Sequence, residues 1–281
     1  MRETLIKQLL FIYKYFIKSN FIRNCIKYLM GCRKIVILFN KFKINVGVKS
    51  AIEANVFFHT YNEVEVLKLI EKYSSLHYTF FDVGANIGIH SLTAAATNSK
   101  IAIYSFEPEV VNYNSFLKNI ILNKFDNIIP FRMGVGNTVS NVYLNINEGW
   151  NKGKHSMKVN FAGSNQKVSI PIIQLDSFRN YIDSKYLLLK IDVEGFEKEV
   201  IDGAKLLLNQ IENIVVIIEL ITEINSIQTC NEIFSLLKHL NFNTAFKIGN
   251  NKNMIEVFNF DNSGDYIFLK GNHAVNSFIQ T

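Results

Sequence analysis

Short apolar runs recur along the chain from Thr79 onward and alternate with segments of helical periodicity. The runs predict strands, in the order YTFFDVG, IAIYSFE, IIPFRM, YLLLKID, IVVIIEL, AFKIG and DYIFLK. IVVII, and LLLKI apart from its lysine, are continuous apolar runs, which is typical of strands that are covered on both faces. Strands that alternate with helices in this way predict βαβ units and an α/β fold with a largely parallel sheet.

Between these strands, apolar residues recur at the spacing of one helix face. The spacing predicts helices over 87–97, 109–123, 175–182, 197–210 and 225–240. Residues 134–174 differ, because Gly, Asn and Ser are mixed among alternating segments such as VYLNI and VSIPII. We expect an N-terminal extension over 1–56 and a main domain over 57–281, with a β-rich insertion at about 134–174.

The N-terminal extension contains an amphipathic pattern. On a helix, Lys7, Lys14 and Lys18 fall within about 40° of one another, and Leu, Ile, Phe and Tyr fill the remainder. The helix can lie on a membrane surface, or it can pack on the domain with its lysines in solvent, which we favour. A second basic stretch, 33–43, predicts a strand or short hairpin.

Charge is concentrated in this extension. Residues 1–50 contain 11 of the 30 basic residues and one of the 24 acids, which leaves 19 basic residues against 23 acids in the remainder. A nucleic-acid enzyme would more often carry basic residues around its cleft, so no nucleic-acid partner is expected. The asymmetry favours contact between the N-terminus and an anionic surface, such as membrane phospholipid.

Cysteine usage and hydropathy bear on location. Cys25, Cys32 and Cys230 are widely spaced and support neither a disulfide framework nor a zinc site. Lysines interrupt the apolar residues between 5 and 22, so the sequence predicts neither a membrane crossing nor a signal-peptide core. We expect a cytoplasmic protein, with peripheral contact at the inner face of the membrane as an open alternative.

A glycine-rich turn, FDVGANIG, follows the first of these strands. Asp82 ends the strand, and Gly84, Asn86 and Gly88 let the backbone turn sharply toward a ligand at a helix N-terminus. The spacing differs from the dinucleotide pattern GxGxxG. An acid at the turn would repel a pyrophosphate, whereas an acid network can bind the ammonium group of S-adenosylmethionine. The charge pattern therefore favours S-adenosylmethionine.

Glu107 ends the next strand. A carboxylate there can accept hydrogen bonds from both ribose hydroxyls of a nucleoside. NAD enzymes place an acid similarly, so Glu107 predicts a nucleoside without choosing which one. The structural alternative is a cap for the helix that follows.

The segment LLLKIDVEGFE provides two further acids. Asp192 ends the fourth strand, and ligands of open α/β sheets bind outside the carboxyl ends of the strands. Asp192 is therefore predicted to face the reaction zone. Glu194 follows it, and a catalytic and a structural role both stay open for that residue.

FDVGANIG, the SFEP around Glu107, and LLLKIDVEGFE together resemble the FkbM family of methyltransferases, in order and in spacing. FFHTYNEVEVLKLI and IIQLDSF also resemble that family, so the resemblance runs from about residue 57 to residue 270. It implies a class I methyltransferase fold, a Rossmann-like sheet of seven strands with the last strand antiparallel and helices on both faces. It also implies methyl transfer from S-adenosylmethionine, usually to a hydroxyl of a sugar or another secreted or specialised metabolite.

The resemblance also assigns roles by position. It implies that the cofactor is held by Asp82, Gly84, Asn86, Gly88 and Glu107. It places Asp192 and Glu194 on the substrate side. The expected partner is a sugar or glycan acceptor, in polysaccharide modification, and a lipid-linked form of it is compatible with this assignment.

For a hydroxyl acceptor, a carboxylate can remove the proton as the new bond forms. Asp192 is the first candidate for this catalytic role and Glu194 the second. A variant of the mechanism uses Asp192 with Glu219, which ends the fifth strand, to bind a divalent metal. Trp150 and His155 in the insertion are candidate substrate residues, and His90 is given no role.

Two other functions stay open on the sequence. One is a nicotinamide-dependent oxidoreductase on a Rossmann-like fold, because Glu107 alone does not choose the nucleoside. The other is a non-catalytic, membrane-associated binding module, because the basic N-terminal segment favours an anionic surface.

Overall fold

The computed structural model describes residues 2–15, 18–146, 166–182, 184–249 and 253–279 of the 281-residue chain. Its helices are α1 (Arg2–Tyr15), α2 (Asn20–Met30), α3 (Ala51–Phe57), α4 (Val64–Ser75), α5 (Ile89–Thr97), α6 (Val110–Asn123), α7 (Glu197–Asp202), α8 (Lys205–Gln210), α9 (Thr222–Asn225), α10 (Ile227–His239) and α11 (Asn272–Ile279). Its strands are β1 (Ile35–Phe39), β2 (Phe42–Val46), β3 (Thr79–Val83), β4 (Ile103–Phe106), β5 (Ile128–Phe131), β6 (Gly134–Val135), β7 (Ser140–Asn145), β8 (Lys167–Ile173), β9 (Tyr186–Ile191), β10 (Asn213–Leu220), β11 (Thr244–Ile248), β12 (Met254–Glu256) and β13 (Gly264–Lys270).

A mixed sheet organises the fold. In the described residues it has eight strands in the order β12-β11-β13-β10-β9-β3-β4-β5. The five strands from β10 to β5 in that order are parallel, and β13 is antiparallel between β10 and β11. The α/β class and the antiparallel last strand of a class I methyltransferase fold are confirmed. The expected count of seven strands is wrong, because the short strand β12 pairs with β11 and adds an eighth.

Side chains of the central strands alternate between two hydrophobic clusters, one on each face of the sheet. In β9, Leu187 and Leu189 belong to one cluster and Leu188 to the other, as the two-residue period of a strand requires. Helices α7, α8 and α10 contribute to the first cluster, and α4, α5 and α6 to the second. This coverage of both faces explains the continuously apolar strands.

The N-terminal elements pack on the second face. Ile6 of α1 and Ile26 of α2 are buried in the same cluster as residues of the sheet. The basic stretch 33–43 forms most of the antiparallel hairpin β1–β2, as predicted. The predicted division after residue 56 falls inside α3, and as a domain boundary it stays a prediction. In the described part of the chain, no helix combines the length and the apolar character that a membrane span needs.

Two predicted helices differ from the structure. The segment 175–182 forms a 3₁₀ helix, Leu175–Tyr181. The helix predicted over 197–210 divides into α7 and α8 around Gly203, where a Cβ would lie 1.9 Å from the backbone oxygen of Gly136. The backbone contact that divides this helix is tertiary, so helical periodicity does not reveal it.

The insertion at 134–174 is β-rich where it is described. Strands β6, β7 and β8 form a separate sheet in the order β6-β8-β7. β7 and β8 are antiparallel, with Ser140 opposite Ile172. Residues 147–165 lie outside the described residues, and the two candidate substrate residues Trp150 and His155 are among them.

Candidate functional site

A cavity of about 290 Å³ opens at the carboxyl ends of the parallel strands. Its walls come from the segments after β3, β4 and β9, from the end of β10, and from the segment between α3 and α4. Open α/β sheets bind their ligands at this edge. Six of the predicted site residues line the cavity, namely Gly84, Asn86, Glu107, Asp192, Glu194 and Glu219.

The glycine-rich turn forms one wall, with left-handed backbone at three of its residues. The φ angles are 87° at Gly84, 52° at Asn86 and 92° at Gly88. A Cβ on Gly84 would lie 1.8 Å from the backbone oxygen of Asp192, and one on Gly88 would lie 2.1 Å from the ring of Phe116. Both glycines are therefore required by packing, and of the two only Gly84 lines the cavity.

We expect Gly84→Ala to destabilise the fold by at least about 2 kcal/mol, because a methyl group adds left-handed strain and forces two backbone segments apart. Urea denaturation measures the effect. Gly31→Ala is the matched control, since Gly31 also has a positive φ of 54° but no atom within 4 Å of its Cβ position. Equal losses in the two variants would mean that the contact with Asp192 has no energetic weight.

Asp82 lies beneath the turn and is fully buried. One of its carboxylate oxygens accepts hydrogen bonds from the backbone N–H of Ser91, at 3.1 Å, and from the Ser91 hydroxyl, at 2.5 Å. Asp82 shares a strand face with Phe80, and this face is turned toward α5. Asp82 and Gly88 support the turn and do not line the cavity, and their contact with the cofactor stays a prediction.

Glu107 is buried at the end of β4 and lines the cavity. Its two carboxylate oxygens accept hydrogen bonds from the backbone N–H groups of Asn86 and Glu109, each at 2.8 Å. The helix cap that we weighed for this residue is instead formed by Glu109, whose carboxylate accepts from the N–H of Asn112 at 2.7 Å. Glu107 is therefore held rigidly with acceptor capacity left for a ligand.

Burial raises the pKa of Glu107 to about 8, although the N–H groups of Glu109 and Asn86 act in the opposite direction. The charge of Glu109 raises this pKa further. A ligand that donates hydrogen bonds to Glu107 favours its ionised form and opposes the effect of burial.

Three carboxylates lie close together on another wall of the cavity. Ligand atoms of Asp192, Glu194 and Glu219 all lie within 4.8 Å of one another. Glu194 has a left-handed φ of 53°, and the next turn is held by Glu197, whose carboxylate accepts from the N–H of Gly195 at 3.0 and 3.1 Å. The sequence predicted each of these three acids as a site residue, and the fold brings them together.

Lys190 lies behind this acidic cluster. Its ammonium group is buried and donates to the Asp192 carboxylate at 3.0 Å. Burial lowers the pKa of Lys190, but the charges of Asp192, Glu63 and Asp82 outweigh it and hold this pKa above the usual value. A positive charge is thus fixed next to the candidate base, and the sequence analysis did not predict it.

The segment before α4 adds two cavity residues that the sequence analysis missed, Tyr61 and Glu63. The Glu63 carboxylate pairs with His90 Nε2 at 3.0 Å, and the Tyr61 hydroxyl lies 3.1 Å from the same nitrogen. Burial would raise the pKa of Glu63, but the hydrogen bond and charge of His90 keep it well below its usual range. Both residues lie within FFHTYNEVEVLKLI, and the family resemblance of that segment was the available sequence signal for a functional role.

Comparison with known proteins gives one sequence match. A model described as the Methyltransferase FkbM domain matches residues 82–244, which is more than half of the 281-residue chain. No curated protein sequence matches the chain.

Several solved structures are similar in fold. A SAM-dependent methyltransferase from Agrobacterium tumefaciens is 9% identical, with a TM-score of 0.47 over 85% of this chain and 71% of that chain. The M. jannaschii TYW2, solved in complex with AdoMet, is 11% identical, with a TM-score of 0.44 over 84% of each chain. A precorrin-6y C5,15-methyltransferase from Geobacter metallireducens is 14% identical, with a TM-score of 0.40 over 75% and 89%.

Proposed function

The chain belongs to the FkbM methyltransferase family, and from this premise we propose that it methylates a hydroxyl of a sugar, a glycan or a related metabolite. Dependence on S-adenosylmethionine follows from the family. This dependence favours the nucleoside of S-adenosylmethionine over that of NAD as the ligand of Glu107, a choice that the sequence alone left open. The proposal concerns the chemical class of the acceptor and the residues that bind and deprotonate it.

One observation carries the proposal: a single cavity joins Glu107 on one wall to the cluster of Asp192, Glu194 and Glu219 on another. The first carboxylate suits the ribose hydroxyls of a nucleoside. The second group supplies several hydrogen-bond acceptors, which suit an acceptor with several hydroxyl groups. No run similar to NPPY follows β9, which disfavours an amide or a nucleobase amine as acceptor.

The residues around the turn fit the cofactor. Gly84, Asn86 and Glu107 would hold it, and when bound it supplies a methyl group activated by a sulfonium. The enzyme's main contribution to such a displacement is to align donor and acceptor and to exclude water. Tyr61 and Glu63 line the same cavity and would contribute to the exclusion of water.

Asp192 is the proposed base. As the new carbon–oxygen bond forms, the acceptor hydroxyl loses its proton to this carboxylate. Lys190 fixes one carboxylate oxygen, so the other is the one available to the acceptor. Glu194 is the second candidate, since it lines the same cavity.

A divalent metal is a subordinate proposal. Carboxylate oxygens are the ligands that Mg²⁺ and Ca²⁺ prefer, and Asp192 with Glu219 would hold the ion. The buried charge of Lys190 already compensates one of these acids, which weakens the case for an ion. Activity that is unchanged after exhaustive chelation would remove this proposal and leave the carboxylate mechanism intact.

Cofactor binding should strengthen as pH rises from about 6 to about 8, by at most about tenfold per pH unit. The pKa of Glu107 in the free protein is about 8, and ribose hydroxyls donate best to its ionised form, so binding should release a proton. The same pKa difference affects folding. Because the pKa of Glu107 is about 8 in the folded protein and about 4.5 in the unfolded chain, the protonated carboxyl stabilises the folded state at low pH, and this contribution is lost as pH rises from about 4.5 through about 8.

Calorimetric titration with S-adenosylhomocysteine in buffers of different ionisation enthalpy measures the proton release. Affinity that is constant across this pH range would show that Glu107 does not ionise on binding.

The acceptor is tested in cells. Deletion of the gene should lower the mass of a cell-surface polysaccharide or of its lipid-linked precursor by that of one CH2 group, as detected by mass spectrometry. Incubation with the purified protein and S-adenosylmethionine should restore the mass. Restoration by the wild-type chain and not by an Asp192 variant separates enzymatic action from a binding role. Methylation found only on an amine or a carbon atom would contradict the proposal.

A further inference from the structure

The two N-terminal helices expose large apolar side chains. Phe21 and Tyr28 of α2 are 77% and 83% exposed, and Phe11 of α1 is 56% exposed. Leu5 and Ile12 of α1 are also exposed. We refer to these five residues as the N-terminal apolar surface. Scattered exposed apolar residues are normal, but several large ones on two neighbouring helices mark an interaction site.

These side chains point away from the core. α1 buries Ile6 and Leu10, and α2 buries Ile26 and Met30, all in one hydrophobic cluster. The two helices also pack against each other. Since 3.6 residues make one helical turn, Phe21 and Tyr28 lie on the side of α2 opposite Ile26 and Met30. The exposed apolar residues of α1 and α2 therefore lie on the solvent-facing sides of two helices that pack against each other.

Basic residues accompany the apolar ones. The sequence of residues 1–50 contains 11 Lys and Arg but only one acid, Glu3. Glu3 forms an exposed ion pair with Lys7 at 2.9 Å, and Lys18 is exposed between the two helices. On α2, Arg23 lies over the ring of Phe58, 4.8 Å from its centroid, so this charge is turned toward the domain and away from Phe21 and Tyr28. The positive charge beside the N-terminal apolar surface therefore comes from the basic residues of α1 and from Lys18.

We infer that α1 and α2 dock this protein on an anionic phospholipid membrane, with the N-terminal apolar surface entering the boundary between headgroups and acyl chains. Exposed aromatic side chains together with basic residues are the combination that such a boundary binds. A second copy of the chain is a poorer occupant, because two basic N-terminal segments would then face each other. The inference goes beyond the proposed function, since it locates the enzyme independently of its acceptor.

Vesicle co-sedimentation of the full chain, without cofactor or acceptor, tests the inference. We expect binding to vesicles of phosphatidylcholine with phosphatidylglycerol, weaker binding at high salt, and little binding to phosphatidylcholine alone. Phe21→Ser with Tyr28→Ser should lower the partition coefficient at least about tenfold. Lys18→Glu should lower it about fivefold or more.

Two matched controls keep the test specific. Tyr181→Ser with Phe258→Ser removes two aromatic residues that are 75% and 79% exposed elsewhere on the protein. Lys100→Glu reverses an exposed charge on the main domain. We expect both controls to bind vesicles as the wild-type chain does. Equal losses in test and control variants, no vesicle binding, or self-association that only the Phe21 and Tyr28 substitutions abolish would each overturn the inference. None of these results would contradict methyl transfer.

Discussion

Asp192→Asn should lower kcat by about a thousandfold while S-adenosylmethionine binds with nearly unchanged affinity. Asparagine keeps the shape of the side chain and can still accept a hydrogen bond from Lys190, but it cannot take the acceptor's proton. Asp192 follows β9 and Glu107 follows β4, with β3 between these two strands. The two carboxylates therefore serve different parts of the cavity, and loss of one should spare the other. Steady-state kinetics and calorimetric titration measure the two effects separately.

The folding stability of the Asp192→Asn variant must be measured separately from its activity. Removing the partner of a buried charge destabilises proteins by about 3–5 kcal/mol, and Lys190 is such a charge. Asp192→Asn combined with Lys190→Met removes the buried charge as well and should recover stability without recovering turnover. A thermal unfolding curve for both variants distinguishes a lost base from a lost fold.

Two further variants locate the base. Asp202→Asn is the matched control, because Asp202 is also ion-paired with lysines, at 2.8 Å from Lys198 and 2.6 Å from Lys205, but does not line the cavity. It should keep full activity. If Asp192→Asn remains active and Glu194→Gln does not, the base is Glu194, and the assignment of Asp192 is wrong.

The sequence predicted the part of the fold that depends on local pattern. Strands β3 and β9 are mostly apolar runs that are followed directly by Gly84 and Asp192, so their ends were readable. The helix after the glycine-rich turn begins two residues later than predicted, at Ile89, because Gly88 is left-handed with a φ of 92°. Strand β12 was missed, since its three residues have no pattern of their own and form a strand only by pairing with β11.

The site was predictable where residues follow parallel strands. Glu107, Asp192 and Glu219 line one cavity because the carboxyl ends of their strands share one edge of the sheet, which is a property of the topology. Tyr61 and Glu63 reach the cavity through packing of the segment before α4, a contact between distant parts of the sequence that periodicity and spacing do not predict. Lys190 is the charged residue of β9, and its role became visible only when the structure showed its ammonium group buried against Asp192.

Glu107→Ala should weaken the binding of S-adenosylmethionine and S-adenosylhomocysteine by at least about 100-fold. Hydrogen bonds to a charged group contribute about 1.5–3 kcal/mol each, so two bonds to the ribose hydroxyls are worth at least about 3 kcal/mol. The substitution also leaves the N–H groups of Asn86 and Glu109 without the acceptor that positions the turn. Because the loss is in binding, KM for the cofactor should rise far more than kcat falls, which is the reverse of the pattern expected for Asp192.

Glu109→Ala controls for the loss of a buried acid in the same segment. Glu109 is buried and caps α6, but it does not line the cavity. Its removal should cost about 1 kcal/mol of stability, as the loss of a helix cap does, and should leave cofactor affinity within about threefold. If both variants bind S-adenosylhomocysteine as tightly as the wild-type chain, Glu107 does not contact the ribose. The nucleoside would then have to be held by the turn itself.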